Sequence, residues 1–193
     1  IASKEVIPGD KPIIIQVNYP ASISKKNSDY ILATNSQIIG SLEIKAGLTH
    51  SEYILDKKGR CFLVETANRG GGVLTSAYIV PEMSGVNTNK LLINNSVGKE
   101  YNFSLKPFQG SVILKFFVFE PGFVKQILGL EKAKNIDGVQ HLKLFIAPGD
   151  KLKQPQSGAE RHGFVILKAN NIDSINRLFK KTINSIRLVY EDD

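Results

Sequence analysis

The feature that most constrains this chain is a hairpin pattern in its first half. Two β-rich runs, "THSEYILD" and "RCFLVETA", flank the polar tip Lys57-Lys58-Gly59. If Lys58 and Gly59 form a two-residue turn with Gly59 at positive φ, Glu52 lies directly opposite Glu65. Opposed residues have Cβ atoms about 5 Å apart, so two like charges there are destabilising. A divalent cation would compensate the pair, and two carboxylates suit Mg²⁺.

The same register places His50 opposite Ala67, on the face that carries the glutamates. His50 then either contacts a substrate or forms a hydrogen bond beneath the glutamates. A solvated, exposed sheet face is the simpler alternative for Glu52 and Glu65, because a slip of one residue would remove their pairing.

A second pattern, "NRGGG", follows the hairpin directly and combines Arg69 with Gly70, Gly71 and Gly72. Arg69 offers a planar fork for a carboxylate or phosphate. Three consecutive glycines have no expected packing use, and they let backbone N–H groups approach a ligand. They lead into "VLTSAYIV", a predicted helix whose N-terminus would favour an anion. Together these residues predict a site for phosphate transfer or carboxylate activation, although no Walker loop, GxSxG elbow or GxGxxG turn is present.

Composition narrows the class of protein further. The 193 residues include one cysteine and three histidines, which exclude an internal disulfide and a zinc-finger site and favour the cytoplasm. No apolar run approaches the roughly 20 residues of a membrane helix. The net charge of +7 comes from lysines spread along the chain, so a nucleic-acid surface is disfavoured and an anionic small ligand explains part of the excess.

The remaining sequence predicts two domains, residues 1–106 and 107–193. The first contains a long helix near 24–44 and two short helices after the glycines. The second has the predicted order β-β-α-β-β-α-β, which indicates a compact α+β unit.

The stretch "GLTHSEYILDKKGRCFLVETANRGGG" resembles the C-terminal part of an ATP-grasp fold, whose pattern is roughly G-x-x-H-x-E, a hairpin, and E-x-N-x-R-x-G-G. "SGVN" resembles the T/S-G-V-D that follows the next helix in that family. "FFVFEPG", "APGD" and "SGAERHGFVI" are similar to the C-terminal domain of its L-amino-acid-ligase-like branch. The resemblance implies an α+β fold: the C-terminal half of an ATP-grasp domain, an antiparallel sheet with helices, followed by a small α+β domain.

The resemblance also implies an ATP-dependent carboxylate–amine ligase that uses Mg²⁺ and an acyl-phosphate intermediate. Its partners would be ATP, a small carboxylate, and an amine or ammonia. Glu52 and Glu65 match the metal-binding acids, and Arg69 matches the catalytic arginine that steadies the acyl phosphate or substrate carboxylate. Gly70 to Gly72 match the loop that wraps the substrate, and we include His50 among the substrate-binding candidates.

Two departures from the family pattern affect these expectations. Ala67 stands where the family has a metal-binding Asn, and Asn68 could replace it as a third ligand only through a bulge. The nucleotide-covering elements would precede Ile1, so we expect a C-terminal fragment that is inactive without the N-terminal part of its own chain. A homodimer is an open expectation.

Three other functions remain open from the sequence. The chain could be a degenerate ATP-grasp module that binds a ligand or partner without catalysis, with Ala67 as its support. It could belong to an enzyme similar to carbamoyl-phosphate synthases or biotin carboxylases, which share the hairpin acids. A basic nucleic-acid-binding domain is the alternative from a different class.

Overall fold

The computed structural model describes residues 1–7 and 12–191, which divide into two compact units. One unit comprises Ile1 and Ser22–Phe108, and the other comprises Ala2–Ala21 and Gln109–Asp193. The second boundary lies within two residues of the expected division after residue 106. Residues 2–21 differ from that expectation because they belong to the unit that contains the C-terminal half, to which β-sheet pairing joins them.

The described residues form ten strands, five α-helices and two short helical turns. In order they are β1 (Ser3–Ile7), β2 (Ile13–Tyr19), α1 (Lys25–Ser41), β3 (His50–Leu55), β4 (Cys61–Ala67), a π-helical turn (Thr75–Ile79), α2 (Val80–Ser84), α3 (Thr88–Ser96), β5 (Ser111–Phe117), β6 (Gly122–Leu128), α4 (Leu130–Lys134), β7 (Val139–Leu144), β8 (Lys151–Leu152), a 3₁₀ turn (Gly158–Glu160), β9 (Gly163–Ala169), α5 (Ile172–Ser185) and β10 (Arg187–Tyr190).

The first unit contains the two-stranded hairpin of β3 and β4 together with α1, the π-helical turn, α2 and α3. Polar caps fix where its helices begin. Ser24 accepts a hydrogen bond from the Asn27 N–H at the start of α1, and Asn87 accepts one from the Lys90 N–H at the start of α3. Each cap satisfies an N–H group that has no partner within the helix.

The second unit contains a five-stranded antiparallel sheet in the order β1-β2-β5-β9-β7 and a smaller sheet in the order β10-β6-β8. Its central strands, β5 and β9, are apolar on both faces, as strands buried on both sides must be. The amphipathic helix α5 packs Leu178, Phe179 and Ile183 against the core. The buried core residues are Ile113, Phe117, Ala133, Val165, Leu167, Ile175 and Ile186. The predicted α+β class with antiparallel sheets is confirmed, and the two-residue strand β8 adds to the predicted order.

His162, which immediately precedes β9, is a buried polar side chain in this unit. It is 4% exposed. Its Nδ1 accepts a hydrogen bond from the Phe119 N–H at 2.9 Å, and its Nε2 lies 3.2 Å from the Lys153 carbonyl oxygen. A neutral ring protonated on Nε2 satisfies both partners. Burial lowers the pKa of His162 below its ordinary value of 6.5, and the carbonyl of Lys153 opposes this effect without reversing it.

We predict that the second unit loses stability as the pH falls below about 6.5, the usual histidine pKa. The unfolded chain then binds a proton that the native His162 does not, so the equilibrium shifts toward unfolding. This one group changes the free energy of unfolding by at most about 1.4 kcal/mol per pH unit. Urea unfolding of the wild type and of His162→Gln between pH 7.5 and 5.5 measures the difference in slope.

The matched control for this prediction is His141→Gln, which replaces an exposed histidine on β7 of the same unit. If the free energy of unfolding depends on pH equally in the wild type and in His162→Gln, burial of His162 does not govern the acid sensitivity.

Candidate functional site

The hairpin of β3 and β4 brings the two predicted glutamates together. Glu52 is paired with Glu65, followed by Ser51 with Thr66 and His50 with Ala67. The register shifts between Glu52 and Tyr53, where Val64 is the extra residue of a β-bulge. The predicted cross-strand pair is therefore present.

The tip of the hairpin differs from the predicted two-residue turn. The Asp56 N–H donates to the Arg60 carbonyl at 2.9 Å, and the Gly59 N–H donates to the Asp56 carbonyl at 3.0 Å, so three residues form the loop. Gly59 has the expected positive φ, 77°. The Asp56 carboxylate accepts the N–H groups of Arg60 and Lys58, and the bond from Arg60 contributes most to lowering its pKa. The longer loop displaces the register by one residue, and the bulge at Val64 restores it before Glu52.

Three side chains at the far end of this hairpin form a cluster with the donor atoms of a metal site. His50, Glu52 and Glu65 each offer one ligand atom, and these atoms lie within 4.8 Å of one another. The His50 Nε2 is 3.1 Å from the Glu52 Oε1. Among residues 1–7 and 12–191 no other group of three histidine, cysteine or acidic side chains is arranged in this way. Two carboxylates and an imidazole fit a divalent cation, since carboxylates suit Mg²⁺ and Mn²⁺ and imidazole suits transition metals.

Arg69 lies on the Glu65 side of this cluster. Its Nη2 is 3.5 Å from the Glu65 Oε1, and its Nη1 donates to the Gly70 carbonyl at 2.9 Å. The side chain is 56% exposed, so much of the guanidinium faces solvent. Arg69 can therefore present positive charge to an anion beside Glu65 while remaining anchored to the loop.

The glycine run has a packing role that the sequence did not predict. A Cβ on Gly70 would lie 2.7 Å from the Ser76 Oγ, and a Cβ on Gly71 would lie 2.8 Å from the His50 Nδ1. A Cβ on Gly72 would meet nothing within 4 Å. The expectation that the three glycines have no packing use is therefore wrong for Gly70 and Gly71, which allow the loop to pass directly over Ser76 and His50.

The left-handed backbone in this loop occurs after the glycines. Val73 and Leu74 have φ values of 55° and 60°. Such values are uncommon for residues with a side chain, and a β-branched Val is especially disfavoured there. Strain of this kind persists where surrounding contacts determine the backbone, and it concentrates at functional sites.

The segment after the loop holds it in place. Ser76 Oγ donates to the Gly71 carbonyl at 2.9 Å, and the Thr75 N–H donates to the Gly72 carbonyl at 3.1 Å. Thr88 Oγ1 in turn donates to the Ser76 carbonyl. The predicted helix begins as the π-helical turn Thr75–Ile79 and continues without interruption into α2, which includes Pro81. Sequence reasoning missed Ser76, because its hydrogen bond to the Gly71 carbonyl depends on how the loop folds back onto the helical turn.

The Asn68 side chain lies next to Gly47, and Asn68 itself follows the last paired residue of the ladder, Ala67. A Cβ on Gly47 would lie 2.9 Å from the Asn68 Oδ1. The bulge occurs at Val64, before Glu65, and the ladder then runs regularly to Ala67. The bulge that would return Asn68 to the Glu65 face is therefore not formed in this part of the hairpin. Its role as a third metal ligand stays a prediction.

Comparisons with known proteins place these observations in a family context. Residues 115–191 match the model of the L-amino acid ligase C-terminal domain 2 family. A sequence search of curated proteins gave no significant match. Within the part of the chain that the structure describes, no helix is long and apolar enough to cross a membrane.

Solved structures resemble more than nine-tenths of the chain. The L-amino acid ligase from Bacillus licheniformis is 21% identical, with a TM-score of 0.77 over 93% of this chain and 44% of that one. Phosphoribosylglycinamide synthetase from Anaerococcus prevotii is 14% identical, with a TM-score of 0.83 over 98% of this chain and 49% of that one. Biotin carboxylase from Campylobacter jejuni is 13% identical, with a TM-score of 0.66 over 91% of this chain and 39% of that one.

The chain thus spans less than half the length of these structures. The resemblance to ATP-grasp ligases that the hairpin and glycine motifs suggested is confirmed at the level of the fold. Residues 115–191 match the L-amino acid ligase C-terminal domain 2, and the chain has the fold of the C-terminal part of the ATP-grasp ligases.

Proposed function

We propose that this chain forms the metal- and carboxylate-binding side of an ATP-dependent carboxylate–amine ligase. The observation that carries the proposal is the convergence of the Glu52–Glu65 pair, Arg69 and the glycine loop at one end of a single hairpin. Two acids for a cation, a guanidinium for an anion and a glycine loop beside them are the parts that carboxylate activation needs.

The chemistry that ATP and Mg²⁺ would supply is phosphorylation of a carboxylate to an acyl phosphate, with release of ADP. A nitrogen nucleophile would then displace phosphate and leave an amide. The residues of this chain would position and neutralise charge. Glu52 and Glu65 would hold the cation, while Arg69 would hold the oxygens of the carboxylate. The loop Gly70 to Gly72 would close around the substrate. A structural neighbour from Hydrogenobacter thermophilus was solved with MgADP and bicarbonate, which supports nucleotide and magnesium use in this fold.

An L-amino acid is the proposed carboxylate substrate. The support is the family match over residues 115–191, which lies in a different unit from the hairpin and is therefore an independent indication. The amine donor is a second amino compound or ammonia. His50 reaches the glycine loop as well as Glu52, so it is placed to contact a substrate held by that loop.

The proposed cellular setting follows from the reaction. ATP and amino acids are cytoplasmic, and we place the protein there. Because the chain spans less than half of its structural neighbours, we propose that the elements covering the nucleotide are supplied from outside these residues. Assembly as a homodimer is also proposed, since one structural neighbour is a dimer.

A second candidate function is supported by Ala67. This residue faces His50 in the ladder at the position where a further amide ligand would complete the metal site, and Asn68 lies beside Gly47 instead. A module that binds a ligand without turning over ATP would have this feature. An enzyme similar to biotin carboxylase is a third candidate, supported by the TM-score of 0.66 to that protein.

We predict that the protein, expressed with all the sequence that its gene encodes, releases ADP when ATP, Mg²⁺, an L-amino acid and an amine are present. Glu65→Gln should reduce this release at least about 100-fold, because one of the two negative charges that hold the cation is lost. Coupled ADP detection across a panel of amino acids measures the effect.

Glu43→Gln is the matched control for Glu65→Gln, since Glu43 is an exposed acid of the same unit outside the cluster. Release that persists unchanged in Glu65→Gln would refute the assignment of the metal site. Binding of ligand with no ADP release from the wild type would favour the non-catalytic module.

We predict that Arg69→Lys lowers kcat/KM for the carboxylate substrate about 10- to 100-fold while the apparent affinity for ATP changes little. Lysine keeps the positive charge and loses the planar fork that matches two oxygens. Steady-state kinetics with each substrate varied in turn separates the two effects. A change confined to the KM for ATP would assign Arg69 to the nucleotide instead.

We predict that Gly71→Ala impairs the site and that Gly72→Ala does not. The added Cβ at position 71 would lie 2.8 Å from the His50 Nδ1, whereas at position 72 it meets nothing within 4 Å. A shift of His50 by about 1 Å can cost up to about 100-fold in rate. Comparison of kcat/KM for the two variants, with circular dichroism spectra to verify folding, measures this. Equal loss in both variants would show that chain flexibility matters more than the contact with His50.

A further inference from the structure

We propose that His50 is a metal ligand and that it gives this site a preference for Mn²⁺ over Mg²⁺. The inference rests on the proposed metal site at Glu52 and Glu65 and concerns which cation that site selects. It starts from the position of the imidazole. The His50 Nε2 points at the carboxylate cluster, 3.1 Å from the Glu52 Oε1.

That separation fits two ligands of one ion. Metal–nitrogen and metal–oxygen bonds of about 2.1 Å at right angles place the two ligand atoms about 3 Å apart. The third ligand atom, from Glu65, lies within 4.8 Å of both. The three donors therefore span a space that a single cation can bridge with small side-chain adjustments.

The other edge of the imidazole is fixed by the glycine loop. The backbone at Gly71 passes so close to the ring that a Cβ there would lie 2.8 Å from the Nδ1. The side chain of His50 is 20% exposed and that of Glu52 is 33% exposed, so both are held at the inner side of the site. Packing on the Nδ1 edge keeps the Nε2 edge turned toward the glutamates, and such a preorganised donor loses little entropy when it binds an ion.

The chemistry of the donors then decides the preference. Mg²⁺ is a hard ion that favours oxygen ligands in a near-ideal octahedron and keeps several waters. Imidazole is a ligand of first-row transition metals such as Fe, Ni and Zn. Mn²⁺ belongs to that series and, like Mg²⁺, also accepts carboxylate and water oxygens. A site with two carboxylates and one imidazole matches Mn²⁺ better than a site with two carboxylates alone.

The alternative is that His50 only donates a hydrogen bond to Glu52 and orients it. In that case the histidine would support both cations alike, because orientation of an oxygen ligand does not distinguish Mg²⁺ from Mn²⁺. The two roles therefore differ in a measurable way that does not depend on catalysis.

The experiment uses the purified protein with Mn²⁺ alone, without ATP or substrate. Pulsed electron paramagnetic resonance detects nitrogen nuclei bound to Mn²⁺, and titration of free Mn²⁺, with and without competing Mg²⁺, gives both dissociation constants. We expect a nitrogen signal in the wild type that disappears in His50→Gln. The ratio of Mn²⁺ to Mg²⁺ affinity should fall about tenfold in this variant, the lower end of what a metal-site partner contributes. His141→Gln is the control histidine and should leave the signal and the ratio unchanged.

Each result has a distinct meaning. Absence of a nitrogen signal from the wild type while Mn²⁺ is bound overturns the proposal, and this test requires no variant to fold. Equal loss of affinity for both cations in His50→Gln also overturns it. If Glu65→Gln abolishes Mn²⁺ binding while His50→Gln does not alter the ratio, the proposed function stands and only the role of His50 fails. If the wild type binds neither cation, the metal site of the proposed function fails as well.

Discussion

The opposed carboxylates of Glu52 and Glu65 are the constraint around which the hairpin end is arranged. Side by side on one face they repel, and each is matched by a different group: His50 contacts Glu52, and Arg69 lies near Glu65. The exposed pair with Arg69 contributes little to folding, because solvent screens it. The arrangement is therefore better explained by what it can bind than by what it adds to stability.

The glycine loop depends on the same cluster. Gly71 permits the backbone to cover His50, Gly70 permits it to cover Ser76, and Ser76 ties the loop back through the Gly71 carbonyl. The left-handed residues Val73 and Leu74 then carry the strain, about 1–2 kcal/mol each. Hydrogen bonds from the following π-helical turn and the close packing of the glycines hold this conformation. One loop thus links the proposed metal ligand to the segment that supports it.

The two units supply separate kinds of support for function. The residues of the candidate site lie in the first unit, on β3, β4 and the loop that follows. The family match lies in the second, where β5, β9 and α5 build a conventional apolar core around Ile113, Val165 and Ile175. Agreement between a site argued from residues and a family matched elsewhere in the chain strengthens the ligase proposal, because neither observation depends on the other.

Local patterns in the sequence determined several elements of the fold and one pair of site residues. The helix near 24–44, the β3–β4 hairpin and the positive φ of Gly59 depend on a few neighbouring residues, and so did the pairing of Glu52 with Glu65. Even that pairing was reached through a turn that does not form, since a longer loop and a bulge at Val64 offset each other.

Only the tertiary structure decided which residues distant in sequence come into contact. It showed that Gly71 is needed because His50 lies beneath it, that Asn68 turns to Gly47, and that β2 pairs with β5, far along the chain. These outcomes depend on close approaches between residues distant in sequence. Short sequence patterns do not specify contacts between distant residues, because those contacts form only when the whole chain packs.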